Sequence, residues 1–168
     1  SGSEGIMSTI MRTFLLNDDE IIGAAGSFIG FRVLANASGR KVHWVPMKDY
    51  HYDLGLMAKK ISDYTKIIYI ANPDNPMGTY IKKSEFDQFY ADVPDRVLII
   101  LDEAYYEFSD DPYTDLLEKH SNLIILRTFS KAFGVPSIRA GYTISTKKNM
   151  EILSKARIAH ELSSVSIV

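Results

Sequence analysis

The feature that most constrains this chain is a set of short runs that are apolar at consecutive positions rather than at alternate ones. Val97-Leu-Ile-Ile-Leu101 is the clearest, Asn122 to Arg127 repeats the pattern, and Lys66 to Ala71 is a β-branched strand. A strand with one face in water alternates polar and apolar residues, so a continuous run implies a strand covered on both faces. Between the runs, apolar residues recur at helical spacing, as with Ile6, Met7, Ile10, Met11 and Phe14. The first half reads as helix 6–16, strand 20–23, helix 27–37 closed by Gly39, strand 41–46 ended by Pro46, and helix 53–61 with Asp53 as N-cap. The second half reads as strand 66–71, helix 82–90 opened by Ser84 or Thr79, strands 97–101 and 122–127, strand 138–145 and helix 147–158. Strands alternating with helices over short links predict an α/β fold: a mostly parallel sheet with helices on both faces.

Several function classes are disfavoured. A length of 168 residues suits one domain with one buried core. The formal net charge is −2 and no stretch concentrates Lys and Arg, which argues against a nucleic-acid or anionic-membrane partner. No apolar run approaches the roughly 20 residues that span a bilayer. There is no cysteine, so disulfides and thiolate metal sites are excluded, and a cytoplasmic setting is expected. His43, His51, His120 and His160 are scattered singly, so no metal site is expected. The chain opens Ser1-Gly2-Ser3 without Met and stops on an apolar segment, 163–168. Both ends read as cuts through a longer protein, with Ser1-Gly2 as a cloning scar.

In sheets of this kind ligands bind beyond the carboxyl ends of the strands. Strand 66–71 runs into Asn72-Pro-Asp-Asn-Pro-Met-Gly78, where two Asn-Pro pairs and a Gly make a rigid turn. Strand 97–101 runs into Asp102-Glu-Ala-Tyr105, and strand 122–127 into Thr128-Phe-Ser-Lys131, with Arg139 eight residues on. Taken singly these are a tight loop, a cap or loop carboxylate, and solvated charges. Together, three strand ends deliver an amide, a carboxylate, a hydroxyl and two cations, a set that folding alone does not require.

With Asp102-Glu-Ala-Tyr-Tyr-Glu-Phe108, Arg127-Thr-Phe-Ser-Lys-Ala-Phe-Gly134 and Arg139-Ala-Gly-Tyr142, the chain resembles the fold-type I pyridoxal-phosphate-dependent aminotransferases, and among them the histidinol-phosphate aminotransferases. The resemblance covers essentially the whole chain. It implies that residues 1–168 are part of a large cofactor-binding domain, with an N-terminal arm and a C-terminal small domain lying outside. It implies pyridoxal 5'-phosphate as cofactor, with Lys131 holding it covalently and later moving a proton. Asp102 then faces the pyridine nitrogen, and Asn75 and Tyr105 the phenolic oxygen. Ser130, Arg139 and the backbone N–H groups of Gly2 and Ser3 receive the phosphate. Phe28 lies where the family stacks an aromatic ring on the cofactor. The chain departs from the family at Met77, usually Thr, at Val135-Pro-Ser-Ile138 before the Arg, and at Gly23-Ala-Ala-Gly26, which lacks the usual prolines.

The implied reaction is amino transfer between a small amino donor and a keto acid, in a homodimer. Histidinol phosphate and 2-oxoglutarate are the expected pair. The alternatives are a decarboxylase of a phosphorylated amino acid, an aromatic-amino-acid aminotransferase, or a non-catalytic cofactor-binding regulatory domain. The chain by itself is expected to be inactive, since no second motif-borne Arg follows to clamp a substrate carboxylate.

Overall fold

The computed structural model describes residues 2–109, 113–156, 162, 163 and 166. Ser1, His160, the last residues of the helix expected to 158 and most of the tail 163–168 lie outside them. Six strands form one sheet: β1 (Glu20–Ala24), β2 (Lys41–Val45), β3 (Thr65–Ala71), β4 (Leu98–Asp102), β5 (Leu123–Thr128) and β6 (Gly141–Ser145). The order is β2-β1-β3-β4-β5-β6. The first five strands are mutually parallel, and β6 runs antiparallel to β5 with Thr128 opposite Gly141. This is the α/β class that the continuous apolar runs call for, and every residue of β4 and β5 is buried.

The helices are α1 (Gly2–Phe14), α2 (Ile29–Ala37), α3 (Leu54–Lys59), α4 (Lys83–Tyr90) and α5 (Lys147–Lys155). On one face of the sheet, Met7, Ile10 and Met11 of α1, Phe31 and Ala35 of α2 and Leu153 of α5 pack on Ile67, Tyr69, Ile100 and Leu126. On the other, Met57 of α3, Phe86 and Phe89 of α4 and the 3-10 turn Tyr113–Glu118 cover Ile68, Ile99, Leu101 and Ile125. Each fully buried Ile or Met of these layers contributes about 1.5–3 kcal/mol of burial. The connection after β1 therefore lies on one face and the connection after β3 on the other. That divergence opens a crevice at the carboxyl ends of β1 and β3, where such folds bind ligands.

Local chemistry sets several boundaries. Asp53 caps α3, its Oδ1 accepting the Leu56 N–H at 2.8 Å. Gly39 follows α2 with a φ of +69°, a conformation that costs a side-chain-bearing residue. Neither Thr79 nor Ser84 opens α4: Lys82 is the N-cap, and the Glu85 carboxylate accepts its N–H at 2.8 Å. α1 starts four residues earlier than its apolar stripe, at Gly2. The strand expected from 138 begins only at Gly141, because Pro136–Ile138 forms a 3-10 turn and Arg139 takes a left-handed φ of 53°.

Candidate functional site

Asp102 is the last residue of β4, side by side with Ala71 at the end of β3. Its carboxylate is buried, with Oδ2 accepting from the Tyr69 hydroxyl at 2.8 Å and Oδ1 from the Ala104 N–H at 3.1 Å. Burial pushes the carboxyl up to about 6, against the lowering effects of those two hydrogen bonds and of the Lys131 charge. Among the described residues no ion pair reaches it.

The loop after β3 is held from within. Asn72 closes it, its side chain accepting from Ile81 N–H at 2.8 Å and donating to the Ile81 carbonyl at 3.1 Å. Asp74 accepts from the Ser27 hydroxyl at 2.5 Å, the Tyr52 hydroxyl at 3.1 Å and the Met77 N–H at 3.2 Å. This network ties the Asn72–Gly78 turn to the segment that carries Phe28. It leaves the Asn75 amide donating to the Tyr105 hydroxyl at 3.3 Å.

The loop after β5 brings Lys131, whose Nζ stands 5.5 Å from the centre of the Tyr105 ring. Ser130 is fixed by Thr128, whose hydroxyl oxygen accepts its N–H at 3.1 Å and lies 3.0 Å from its Oγ. Arg139 donates to the Pro136 carbonyl at 3.0 Å, and its own carbonyl accepts the Gly2 N–H at 2.8 Å. A Cβ at Gly2 would lie 3.1 Å from Arg139 Nη2, so the guanidinium runs along the N-terminus of α1.

One cavity brings together Ser3, Phe28, Asn75, Asp102, Tyr105 and Lys131, with Ala71, Pro73 and Ala104 completing the wall. Gly2, Ser130 and Arg139 do not line it. One assignment needs correction: the Gly2 N–H is engaged by the Arg139 carbonyl. The next N–H groups at this helix end are those after it, Ser3 first. A wider cleft of about 610 Å³ adjoins through Asn75 and Tyr105, walled by Pro73, Tyr80 and Phe108.

Sequence reasoning singled out only Tyr105 among the tyrosines. The structure gives Tyr69, Tyr52 and Tyr106 places around the site as well. The signal for Tyr69 was there: a lone hydroxyl inside a strand of isoleucines must find a partner. Also missed was a buried ion pair, with the Glu103 Oε2 accepting from Arg127 Nε at 2.8 Å and lying 2.7 Å from Nη2. Burial pushes the Glu103 carboxyl up, its bonds to the Tyr113 N–H and Arg127 opposing. The Arg127 guanidinium lies 3.6 Å from the centre of the Tyr106 ring. The pair ties the end of β4 to the end of β5, and so the Asp102 side of the cavity to the Lys131 side.

Residues 1–167 match the profile of aminotransferase class I and II. The chain belongs to that family. Among its relatives, histidinol-phosphate aminotransferase 1 of Idiomarina loihiensis is 36% identical over 99% of this chain and 47% of its own length. Histidinol-phosphate aminotransferase 1 of Bacillus cereus is 40% identical over 99% of this chain and 46% of its own length. The crystal structure of histidinol-phosphate aminotransferase from Sinorhizobium meliloti in complex with pyridoxal-5'-phosphate superposes with a TM-score of 0.91 at 29% identity, covering 99% of this chain and 46% of that one. The chain thus spans about half the length of the curated relatives it matches. In aminotransferase class I and II terms, the motif residues sit at the carboxyl ends of β3, β4 and β5, with Phe28 following β1.

Proposed function

We propose that this chain is the cofactor-binding part of a longer pyridoxal-phosphate-dependent aminotransferase, cytoplasmic and homodimeric, acting on histidinol phosphate with 2-oxoglutarate as acceptor. The observation that carries the reading is Asp102: a buried carboxylate facing a cavity, without an ion-pair partner among the described residues, with the Lys131 amine lining the same cavity. A buried anion of this kind is costly unless a cation completes it. A protonated pyridine nitrogen is such a cation.

The donor set fits the rest of the cofactor. Tyr105 and Asn75 offer a hydroxyl and an amide N–H to a phenolic oxygen. Arg139, the Ser130 hydroxyl and the first turn of α1 present positive charge and N–H groups to a phosphate. Bound there, pyridoxal phosphate supplies an electron sink for the α-carbon of an amino donor. Lys131 Nζ would be the amine that holds the cofactor covalently and, when free, would take and return the α-proton. Asp102 keeps the proton on the ring nitrogen. At neutral pH a carboxyl pushed up only to about 6 is mostly ionised, which suits that task. Phe28, which lines the cavity, would cover the ring, and the Glu103–Arg127 pair keeps the two walls in register.

Support for the donor is the naming of the relatives at 36–40% identity. The test is reconstitution of the longer protein with pyridoxal phosphate, followed by a screen of histidinol phosphate, phenylalanine and phosphothreonine against 2-oxoglutarate. Fastest amino transfer from histidinol phosphate is expected. Preference for phenylalanine, or release of carbon dioxide from phosphothreonine without amino transfer, would overturn the substrate assignment.

A further inference from the structure

Tyr69 is the single polar side chain in the stretch Ile67-Ile-Tyr-Ile-Ala71 of β3, and it is fully buried. Its ring lies flat against Phe31, centroids 3.9 Å apart at 6° between planes. For packing alone, a Phe at this position would fill the same space without a hydroxyl to bury, which costs free energy unless it is bonded. The hydroxyl's bond runs along the sheet rather than across it. Ile100 is the residue directly opposite Tyr69, and Asp102, two further along β4, is opposite Ala71. Ala71 carries only a methyl group, so the tyrosine can reach diagonally past it to the carboxylate, a separation that long side chains span.

We propose that Tyr69 is a positioning residue for the amino-transfer reaction: its hydroxyl holds Asp102 Oδ2, so that the carboxylate is presented ionised and in one orientation to the ring nitrogen of the cofactor. This rests on the reading that Asp102 pairs with that nitrogen. Two donors, Tyr69 on Oδ2 and the Ala104 N–H on Oδ1, hold separate oxygens and therefore fix the plane of the group. The other charged or titratable groups acting on the pair are Glu103, which follows Asp102 just past the end of β4, Lys131 from the loop after β5, and Tyr52 and Asp74, which act on Tyr69. Of these, only Lys131 favours the ionised carboxylate, so the Tyr69 hydroxyl is a principal support for it.

The experiment is Tyr69→Phe in the longer protein, with pyridoxal phosphate affinity measured by fluorescence quenching as pH is varied. A hydrogen bond to a charged group implies about ten-fold weaker binding, with the acid limb of the affinity profile moved up by about one pH unit. Ring packing is retained, so the melting temperature should fall by no more than a few degrees. Fluorotyrosine at position 69, a stronger donor of nearly the same shape, should move the limb the other way. In an Asp102→Asn background, Tyr69→Phe should alter affinity less than about two-fold, because its partner is gone. Unmoved affinity and limb in Tyr69→Phe would overturn the proposal, as would an equal loss in the Asp102→Asn background. If Asp102→Asn alone binds the cofactor as the parent does, the pairing of Asp102 with the ring nitrogen is wrong and the proposal falls with it. If the parent binds no pyridoxal phosphate at all, the cofactor assignment itself has failed.

Discussion

Gly141 offers a direct test of the proposed phosphate end of the site. It opens β6, where the N-terminus of α1 comes down on the sheet. A Cβ built on Gly141 would stand 2.9 Å from the Arg127 carbonyl oxygen, 3.0 Å from the Ser3 nitrogen and 3.3 Å from the Gly2 carbonyl carbon. All three are backbone atoms, so no side-chain rotation relieves the contact. Ordinary contact begins near 3.4 Å, so in Gly141→Ala the α1 terminus and β6 must separate by ~0.5 Å. Overpacking of this size costs about 1–3 kcal/mol. The movement carries the Ser3 N–H, and with it the Gly2–Arg139 backbone bond, away from the position proposed for the phosphate. The expected result is a lower melting temperature and pyridoxal phosphate affinity weakened by about ten-fold, the equivalent of ~1.4 kcal/mol. Pyridoxal lacking the phosphate should bind the variant as well as it binds the parent. Gly55→Ala is the control. It meets only the Asp53 Oδ1, at 3.7 Å, and lies in α3, where Ala is favoured by about 0.5–1 kcal/mol. Equal loss of affinity for pyridoxal and its phosphate, or no loss for either, would refute the argument.

Three further outcomes are expected. Borohydride reduction of the cofactor-loaded longer protein should place the label on Lys131, and Lys131→Ala should take up cofactor without becoming labelled; a label on another lysine would displace the assignment. Burial raises Asp102 from its ordinary value of 3.8 to about 6, so the folded state binds that proton more tightly than the unfolded chain. Its contribution to stability is complete below about pH 4 and is lost as pH rises through about 6. Cofactor-free Asp102→Asn should therefore be more stable than the parent at neutral pH by up to ~3 kcal/mol in urea unfolding, while turnover falls by orders of magnitude. A variant no more stable than the parent at neutral pH would contradict the burial argument. Glu103→Ala leaves the Arg127 guanidinium buried without its carboxylate and should cost about 3–5 kcal/mol. A loss below about 1 kcal/mol would show that the pair does not brace the two strand ends.

The parts of this protein that were legible in the sequence are those decided by residues a few positions apart. The continuous apolar runs made β3, β4 and β5, because a strand's burial pattern is written in its own side chains. Asp53 capped α3 as expected because a cap reaches only three residues along the chain. The site motifs could be recognised because each sits in one loop at one strand end. What joins those loops could not be read in this way. Tyr69 meets Asp102 across 33 residues, Ser27 meets Asp74 across 47, and Glu103 meets Arg127 across 24. Whether such groups touch depends on the strand order β2-β1-β3-β4-β5-β6 and on register, and a one-residue slip would turn Tyr69 to the opposite face. The same holds for the start of β6 and for the Gly2 N–H, which is taken by the Arg139 carbonyl where α1 crosses Gly141. The sequence alone decided which chemical groups stand at the strand ends. The tertiary structure decided which of them share hydrogen bonds, because those partners are brought together only when the sheet is assembled.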